Sequence, residues 1–320
     1  MKNKPLVFAT QSYQYMLGSD KWGTFQKGLI AFKKFEDGES YHLVDEQHIR
    51  GRVVCLVGGT ETDSSTLELF DLACHISTHK PSELIICIPY YGYSTMERAV
   101  KYGEIVKAKT RAKLLSAIPG QNNTFLFLDL HSEGIPQYLE GNATSLHLYA
   151  KRLIIDICHK IGGNDFVLAS TDAGRAKWVE SLAGDMGVQC AIIIKRHTTG
   201  SDTEVTGINA DVRDKHVIIY DDMIRTGGSV RNAVRTYLDA GAMQVSVVTT
   251  HGVFTTGSAK HPNVANELMD SGISYLAVTN SHPNSAKMLS ELGTKRVELM
   301  DVSGIFIDAI NDIIKSKDEN

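Results

Sequence analysis

None of the five cysteines (Cys55, Cys74, Cys87, Cys158, Cys190) stands in a C-x-x-C pair, and their number is odd. That pattern excludes a zinc ribbon or dithiol motif and argues for buried thiols in place of a disulfide framework. There is no excess of basic charge either. The 33 Lys and Arg against 37 Asp and Glu leave a net charge of -4, which gives no electrostatic reason for nucleic acid or an anionic membrane as partner. No apolar run approaches a membrane span, and the opening MKNKPLVFATQSYQYML lacks a sustained hydrophobic signal region. A cytoplasmic protein is expected. No low-complexity tract and no short-period repeat interrupts the chain.

What is present is a globular balance of 42% hydrophobic and 22% charged residues. The 320 positions exceed one ordinary core, so two domains are expected. Strand-like runs fall at 53–57, 84–88, 125–128, 166–169, 188–194, 217–220 and 245–248, mostly separated by helical stretches such as 64–78 and 107–116. This alternation predicts an α/β fold with mainly parallel sheets. An apolar strand ending in acid occurs in each half: Thr124-Phe125-Leu126-Phe127-Leu128-Asp129-Leu130-His131, and the run ending at Asp221. Two similar sheet domains are therefore expected, 1–150 and 151–320, with a final helix near 302–314 able to pack on either.

The most informative stretch is VIIYDDMIRTGGSV, residues 217–230. A short β-branched run, a Gly-rich loop, a helix carrying Ala233, Val234, Tyr237 and Leu238, and a second strand from Gln244 make a βαβ unit. Its loop sits at the carboxyl end of a parallel strand, where open α/β sheets bind ligands. Gly227 and Gly228 let backbone N–H groups approach an anion, Thr226 and Ser229 add hydroxyl donors, and the next helix points its positive end there. No Lys follows the glycines, so this is not a Walker A loop. Asp221 and Asp222 would repel a bare phosphate. They suit a ligand that carries hydroxyls or Mg²⁺ beside its phosphate, as a ribose 5-phosphate does.

A second polar segment, Lys195-Arg196-His197-Thr198-Thr199-Gly200 and onward to Gly207, follows an apolar run. Two cations leading a Thr/Gly/Ser stretch fit a lid over a phosphate-rich substrate, with an exposed hairpin as the alternative.

Together these residues resemble the ribose-phosphate diphosphokinases, or phosphoribosyl pyrophosphate (PRPP) synthetases, nearly end to end. The resemblance is carried by Phe35-Glu36-Asp37-Gly38-Glu39, Ile88-Pro89-Tyr90-Tyr91-Gly92-Tyr93, Asp129-Leu130-His131, Ser170-Thr171-Asp172-Ala173-Gly174, Lys195-Arg196 and the 217–230 stretch, in that order. It implies two phosphoribosyltransferase-like (type I) domains, the first on the nucleotide side. It also implies transfer of the β,γ-diphosphoryl group of Mg·ATP to the anomeric hydroxyl of ribose 5-phosphate, yielding PRPP and AMP. Carried over by position, Lys195 and Arg196 are catalytic. Phe35, Asp37, Glu39, Arg98 and His131 contact nucleotide, the first three across a subunit interface of a homo-oligomer. Asp172, Ala173 and Gly174 hold diphosphate, and His131 and Asp172 bind Mg²⁺. Asp221, Asp222, Arg225, Thr226, Gly227, Gly228 and Ser229 hold ribose 5-phosphate. Plainer roles stay open: His131 as a strand-end histidine, Phe35 as a core aromatic, Asp172 as a helix N-cap.

Two departures stand out. The family's A-R-Q-D-R run is Ser94-Thr95-Met96-Glu97-Arg98 here, and the second arginine of the usual K-R-R is His197, a weaker and titratable cation. These changes resemble the plant-type class, with looser nucleotide choice. Alternatives are a diphosphokinase acting on a larger ribose 5-phosphate ester such as ADP-ribose, a PRPP-dependent phosphoribosyltransferase, and a non-catalytic regulatory relative.

Overall fold

The structure, a computed structural model, describes residues 4–120, 123–197, 203–255, 263–292 and 296–318, with side chains for all of these but 195–197, 203–206, 290–291 and 318. The chain divides into two compact units. One runs to Tyr149 and takes in the chain from Asp301 onward; the other spans Ala150–Met300.

In the first unit the chain forms β1 (Leu6–Ala9), β2 (Gln26–Lys27), β3 (Ile30–Lys34), β4 (Ser40–Val44), β5 (Val53–Val57), α1 (Asp63–Thr78), β6 (Glu83–Ile88), α2 (Lys107–Ser116), β7 (Asn123–Leu128) and β8 (Thr144–Leu148). Its sheet has the order β2-β1-β5-β6-β7-β8, all pairs parallel, with β3 and β4 as a separate antiparallel hairpin. Every residue of β6 and β7 is buried, as expected of strands covered on both faces. Thr62 caps α1 by accepting the Ser65 N–H at 3.0 Å, and Leu69, Leu72, Ala73 and Ile76 recur at helical spacing to bury one face on the sheet core.

The second unit contains α3 (Lys151–Gly162), β9 (Val167–Ala169), α4 (Ala176–Met186), β10 (Gln189–Ala191), β11 (Ile193–His197), β12 (Thr203–Ile208), β13 (His216–Ile224), α5 (Gly228–Asp239), β14 (Gln244–Gly252), α6 (Val264–Asp270), β15 (Tyr275–Thr279), α7 (Pro283–Leu292) and β16 (Val297–Met300). Its sheet order, β10-β9-β13-β14-β15-β16, repeats that of the first unit rank for rank, again parallel throughout. The antiparallel hairpin β11–β12 is inserted at the step where β3–β4 is inserted in the first. In both sheets the chain first winds outward to an edge strand, then returns to wind the other way. That makes a topological switch between β1 and β5, and another between β9 and β13.

The last helix, α8 (Ser303–Asp318), clusters with the first unit, where Lys317 pairs with the buried Glu83 at 2.8 Å. The apolar run 188–194 is two strands and not one. Its β10 half pairs with β9 and its β11 half with β12, and between them the Ile192 N–H turns to the Asn209 side chain at 2.6 Å. Among the described residues, no helix is long and apolar enough to cross a membrane.

One backbone approach fixes the rim of the first sheet. The Gly92 N–H donates to the buried Thr60 Oγ1 at 2.8 Å, and a Cβ on Gly92 would stand 1.9 Å from the Thr60 carbonyl oxygen. Gly92→Ala should therefore cost about 1–3 kcal/mol or more, since backbone and not a pliable side chain must move. Thermal unfolding checks this; an unchanged Tm would show that the loops after β5 and β6 separate freely.

Candidate active site

In the second unit the switch point lies between the end of β9 and the long strand β13. Asp221 and Asp222 are not in a loop after the strand, as the short apolar run suggests. They continue the β13–β14 ladder, which runs on to Ile224 opposite Gly252. Backbone pairing carries two acids into the sheet where apolar side chains would otherwise be expected. Asp222 is 4% exposed and forms an ion pair with the Arg175 guanidinium. Asp221 accepts from Thr171 Oγ1 at 3.2 Å and from the Asp222 N–H at 3.0 Å. One arginine thus faces two carboxylates. Burial, and then the neighbouring Asp222 charge, push the Asp221 carboxyl well above its ordinary range.

The loop after β9 is built for the same place. Asp172 Oδ1 accepts the Gly174 N–H at 2.9 Å, capping the 3-10 turn Ala173–Arg175 that leads into α4, while Ser170 Oγ donates to the Asp172 carbonyl at 2.8 Å. Beneath it the buried Tyr237 hydroxyl donates to the Ser170 carbonyl at 3.0 Å, tying α5 to the β9 end. The Gly-rich loop follows Ile224. Gly227 has φ +74, and a Cβ there would lie 3.1 Å from Arg231 Nη1, so both conformation and space favour glycine. Arg231 donates to the Thr226 carbonyl at 2.9 Å and pairs with Glu267 at 2.9 Å, bracing the loop from behind. Arg225, Thr226 and Ser229 are exposed, and Gly228 opens α5 at its N-terminus.

The nucleotide-side residues named from sequence occupy three segments of the first unit. Phe35, Asp37 and Glu39 close the β3–β4 hairpin: the Phe35 N–H donates to the Glu39 carbonyl at 2.8 Å, and Asp37 Oδ1 accepts the Glu39 N–H at 3.0 Å. Phe35 is 42% exposed with Lys33 Nζ 4.7 Å above its ring, so it is no core aromatic. Arg98 is 79% exposed and meets Glu97 at 3.5 Å. His131 follows β7 in a turn whose Asp129 has φ +39. That turn is held by the Leu130 N–H donating to His147 Nε2 at 2.8 Å, and burial lowers the His147 pKa so that the ring stays a neutral acceptor.

The backbone of Lys195 and Arg196 runs in hairpin β11–β12, with a register irregularity between Ile194 and Lys195. Their side chains, that of His197 and residues 198–202 lie outside the described part of the chain.

Several residues of these clusters are not evident from the motifs. Arg175 immediately follows the Asp172–Gly174 loop, but only the fold aims it at Asp222. Thr171, Arg231 and His147 serve as braces with no sequence signal of their own. In the first unit Tyr93 (φ +60) donates to Asp63 at 2.5 Å, with Lys107 Nζ 4.6 Å and the Arg111 guanidinium 5.3 Å from its ring. The run Lys107-Ala108-Lys109-Thr110-Arg111 was the available hint.

Comparison with known proteins covers both units. Residues 21–118 match the family model described as the N-terminal domain of ribose phosphate pyrophosphokinase, and residues 141–319 match the phosphoribosyl synthetase-associated domain. A ribose-phosphate pyrophosphokinase of Gloeobacter violaceus is 30% identical over 259 residues, covering 80% of this chain and 75% of the relative. One from Pyrococcus furiosus is 28% identical over 261 residues, covering 82% and 88%. The crystal structure of phosphoribosylpyrophosphate synthetase from Mycobacterium smegmatis superposes with a TM-score of 0.84 at 20% identity, covering 98% of this chain and 100% of the other, which establishes a shared fold of two phosphoribosyltransferase-like domains. With family models matched in both halves and full-length relatives aligned across them, the chain belongs to the ribose-phosphate pyrophosphokinase family.

Proposed function

We infer that the chain is a ribose-phosphate pyrophosphokinase, which transfers the β,γ-diphosphoryl group of ATP to the anomeric hydroxyl of ribose 5-phosphate. The observation that carries this reading is the joining, at one switch point, of a Gly-opened helix N-terminus with the adjacent carboxylates of the half-buried Asp221 and the buried Asp222. The first suits a phosphate and the second suits ribose hydroxyls or a cation. The anomeric oxygen forms a bond to the β-phosphorus, whose bond to the α,β-bridging oxygen breaks. AMP carries that oxygen away, and the hydroxyl proton leaves to solvent.

The chain's own contribution is positioning and charge. Thr226, Gly227, Gly228 and Ser229 cradle the 5-phosphate with Arg225 adding charge, and Asp221 and Asp222 take the ribose hydroxyls. Asp172, Ala173 and Gly174 present the loop to diphosphate. Phe35, Asp37, Glu39, Arg98 and His131 serve the nucleotide, with Lys195 and Arg196 at the transferring group. A homo-oligomer is part of this reading, and the exposed Leu29, Phe35, Tyr41 and Leu43 on or beside the β3–β4 hairpin support it. Mg²⁺ fits the donor set: two carboxylates stand side by side, and burial, then the Asp222 charge, raises the proton affinity of Asp221. Asp172 in the second unit and His131 in the first would each bind Mg²⁺, directly or through water, and the metal would neutralise charge on the phosphates. Loss of the Arg-Gln pair at Thr95 and Met96 favours looser nucleotide choice.

The direct test is to incubate the protein with Mg·ATP and ribose 5-phosphate and to follow AMP and PRPP by mass spectrometry. ADP-ribose competes as a second acceptor in the same vessel. One AMP per PRPP, with kcat/KM higher for ribose 5-phosphate, is the expected result; no AMP with either acceptor refutes the reading.

Lys195→Ala should lower kcat about 10²–10³-fold with the fold intact, the usual cost of removing one group that stabilises developing charge. Turnover near wild type at saturating substrates would remove Lys195 from the mechanism.

Gly228→Ala separates ligand from packing. A Cβ there meets nothing of the protein closer than Thr226 Oγ1 at 3.8 Å, so folding does not require glycine. The expected outcome is an unchanged Tm with KM for ribose 5-phosphate raised about tenfold or more, because the added methyl stands where backbone must meet phosphate. An unchanged KM would take the phosphate away from this loop.

A further inference from the structure

Apart from the residues so assigned, the first unit brings together Glu46, His75 and His79. We propose that these three residues form a binding site for a first-row transition-metal dication, with Zn²⁺ as its natural probe.

The sequence supplies the pair. His75, on the last turn of α1, and His79, its C-cap, are four residues apart, and their ring centroids lie 4.7 Å apart. The fold supplies the third donor. Glu46 lies two residues beyond β4, in the segment that returns the hairpin to the sheet, and it reaches the helix from there. Its Oε2 is 2.7 Å from His79 Nε2 and 3.7 Å from His75 Nε2, and one ligand atom from each of the three residues lies within 4.8 Å of the others. Tetrahedral Zn²⁺ with bonds of about 2.0–2.1 Å needs ligand atoms about 3.3 Å apart, a value these two distances bracket. Glu46 is 53% exposed and His75 44%, so each can adjust toward a common ion without disturbing the core.

Two further features separate this trio from an ordinary surface ion pair. His79 Nδ1 donates to the His75 carbonyl at 3.0 Å, with a secondary contact of 3.3 Å to Thr78 Oγ1. An Nδ1–H bonded to a backbone carbonyl is the arrangement that orients metal-bound imidazoles and leaves Nε2 as the ligand. Beside the trio lies a cavity of about 260 Å³, lined by Glu46, His75, Asp71 and His42 among others, with room for water in the remaining coordination position. Two imidazoles with one carboxylate favour Zn²⁺, Co²⁺ or Ni²⁺ over Mg²⁺, which prefers oxygen alone. A bound ion would tie the end of α1 to the base of the β3–β4 hairpin.

The test titrates chelator-treated full-length protein with Zn²⁺ by calorimetry, in millimolar Mg²⁺ to occupy the carboxylates of the diphosphokinase site. Co²⁺ in a parallel run gives a visible ligand-field spectrum. We expect about one Zn²⁺ per chain with Kd in the micromolar range or below, and a Tm raised by the metal. Glu46→Gln, His75→Ala and His79→Ala should each weaken binding at least about tenfold and abolish the Tm rise, while keeping the wild-type Tm in chelator. The absence of stoichiometric binding to the wild type would show an ion pair and nothing more. Equal affinity in wild type and all three variants would place the metal elsewhere, and either result overturns the site.

Discussion

Two acids stand side by side in the middle of a parallel sheet, and one arginine answers them. Asp222 is buried against Arg175, and Asp221 is left with a hydroxyl, a backbone N–H and a raised proton affinity. Removing one partner of a buried ion pair costs about 3–5 kcal/mol, so β13 and the loop after β9 are locked together by this arrangement. Everything else at the second unit's switch point is arranged around it. Asp172 caps the turn that delivers Arg175, Tyr237 holds the β9 end from below, and Arg231 braces the Gly-rich loop.

The repeated strand order gives the molecule its division of labour. Each unit has a switch point and an antiparallel hairpin inserted at the same step. In the second unit the switch point carries the carboxylate pair and the hairpin carries Lys195 and Arg196. In the first unit the hairpin carries Phe35, Asp37 and Glu39, the loops after β5 and β6 bring Thr60 and Gly92 into close backbone approach, and Asp129 at positive φ ends β7. One architecture thus presents two kinds of loops, because the parallel strands all deliver their carboxyl ends to one rim.

The repeat also explains which elements were hard to read. Central strands such as β6 and β7 are buried on both faces and appear as unbroken apolar runs. The hairpin β3–β4 and the edge strand β2 are mostly exposed, so Ile30–Lys34 and Gln26–Lys27 carry no such signal. The β10–β11 break is invisible for the opposite reason: the apolar run is continuous, and only pairing partners divide it.

By itself the sequence determined the α/β class, the Gly-rich loop at 226–229 and the six motifs whose order identifies the family. Those depend on local chemistry: periodicity, glycine's freedom at positive φ, and hydroxyls next to a helix start. Only the tertiary structure decided that Asp221 and Asp222 lie within the ladder, that Arg175 is aimed at Asp222, that His147 holds the Asp129–His131 turn, and that α8 returns to the first unit. It also decided that Glu46 meets His75 and His79. Each of these joins residues far apart in the chain, and no local preference specifies such a meeting. It follows from which strands pair and which faces they bury.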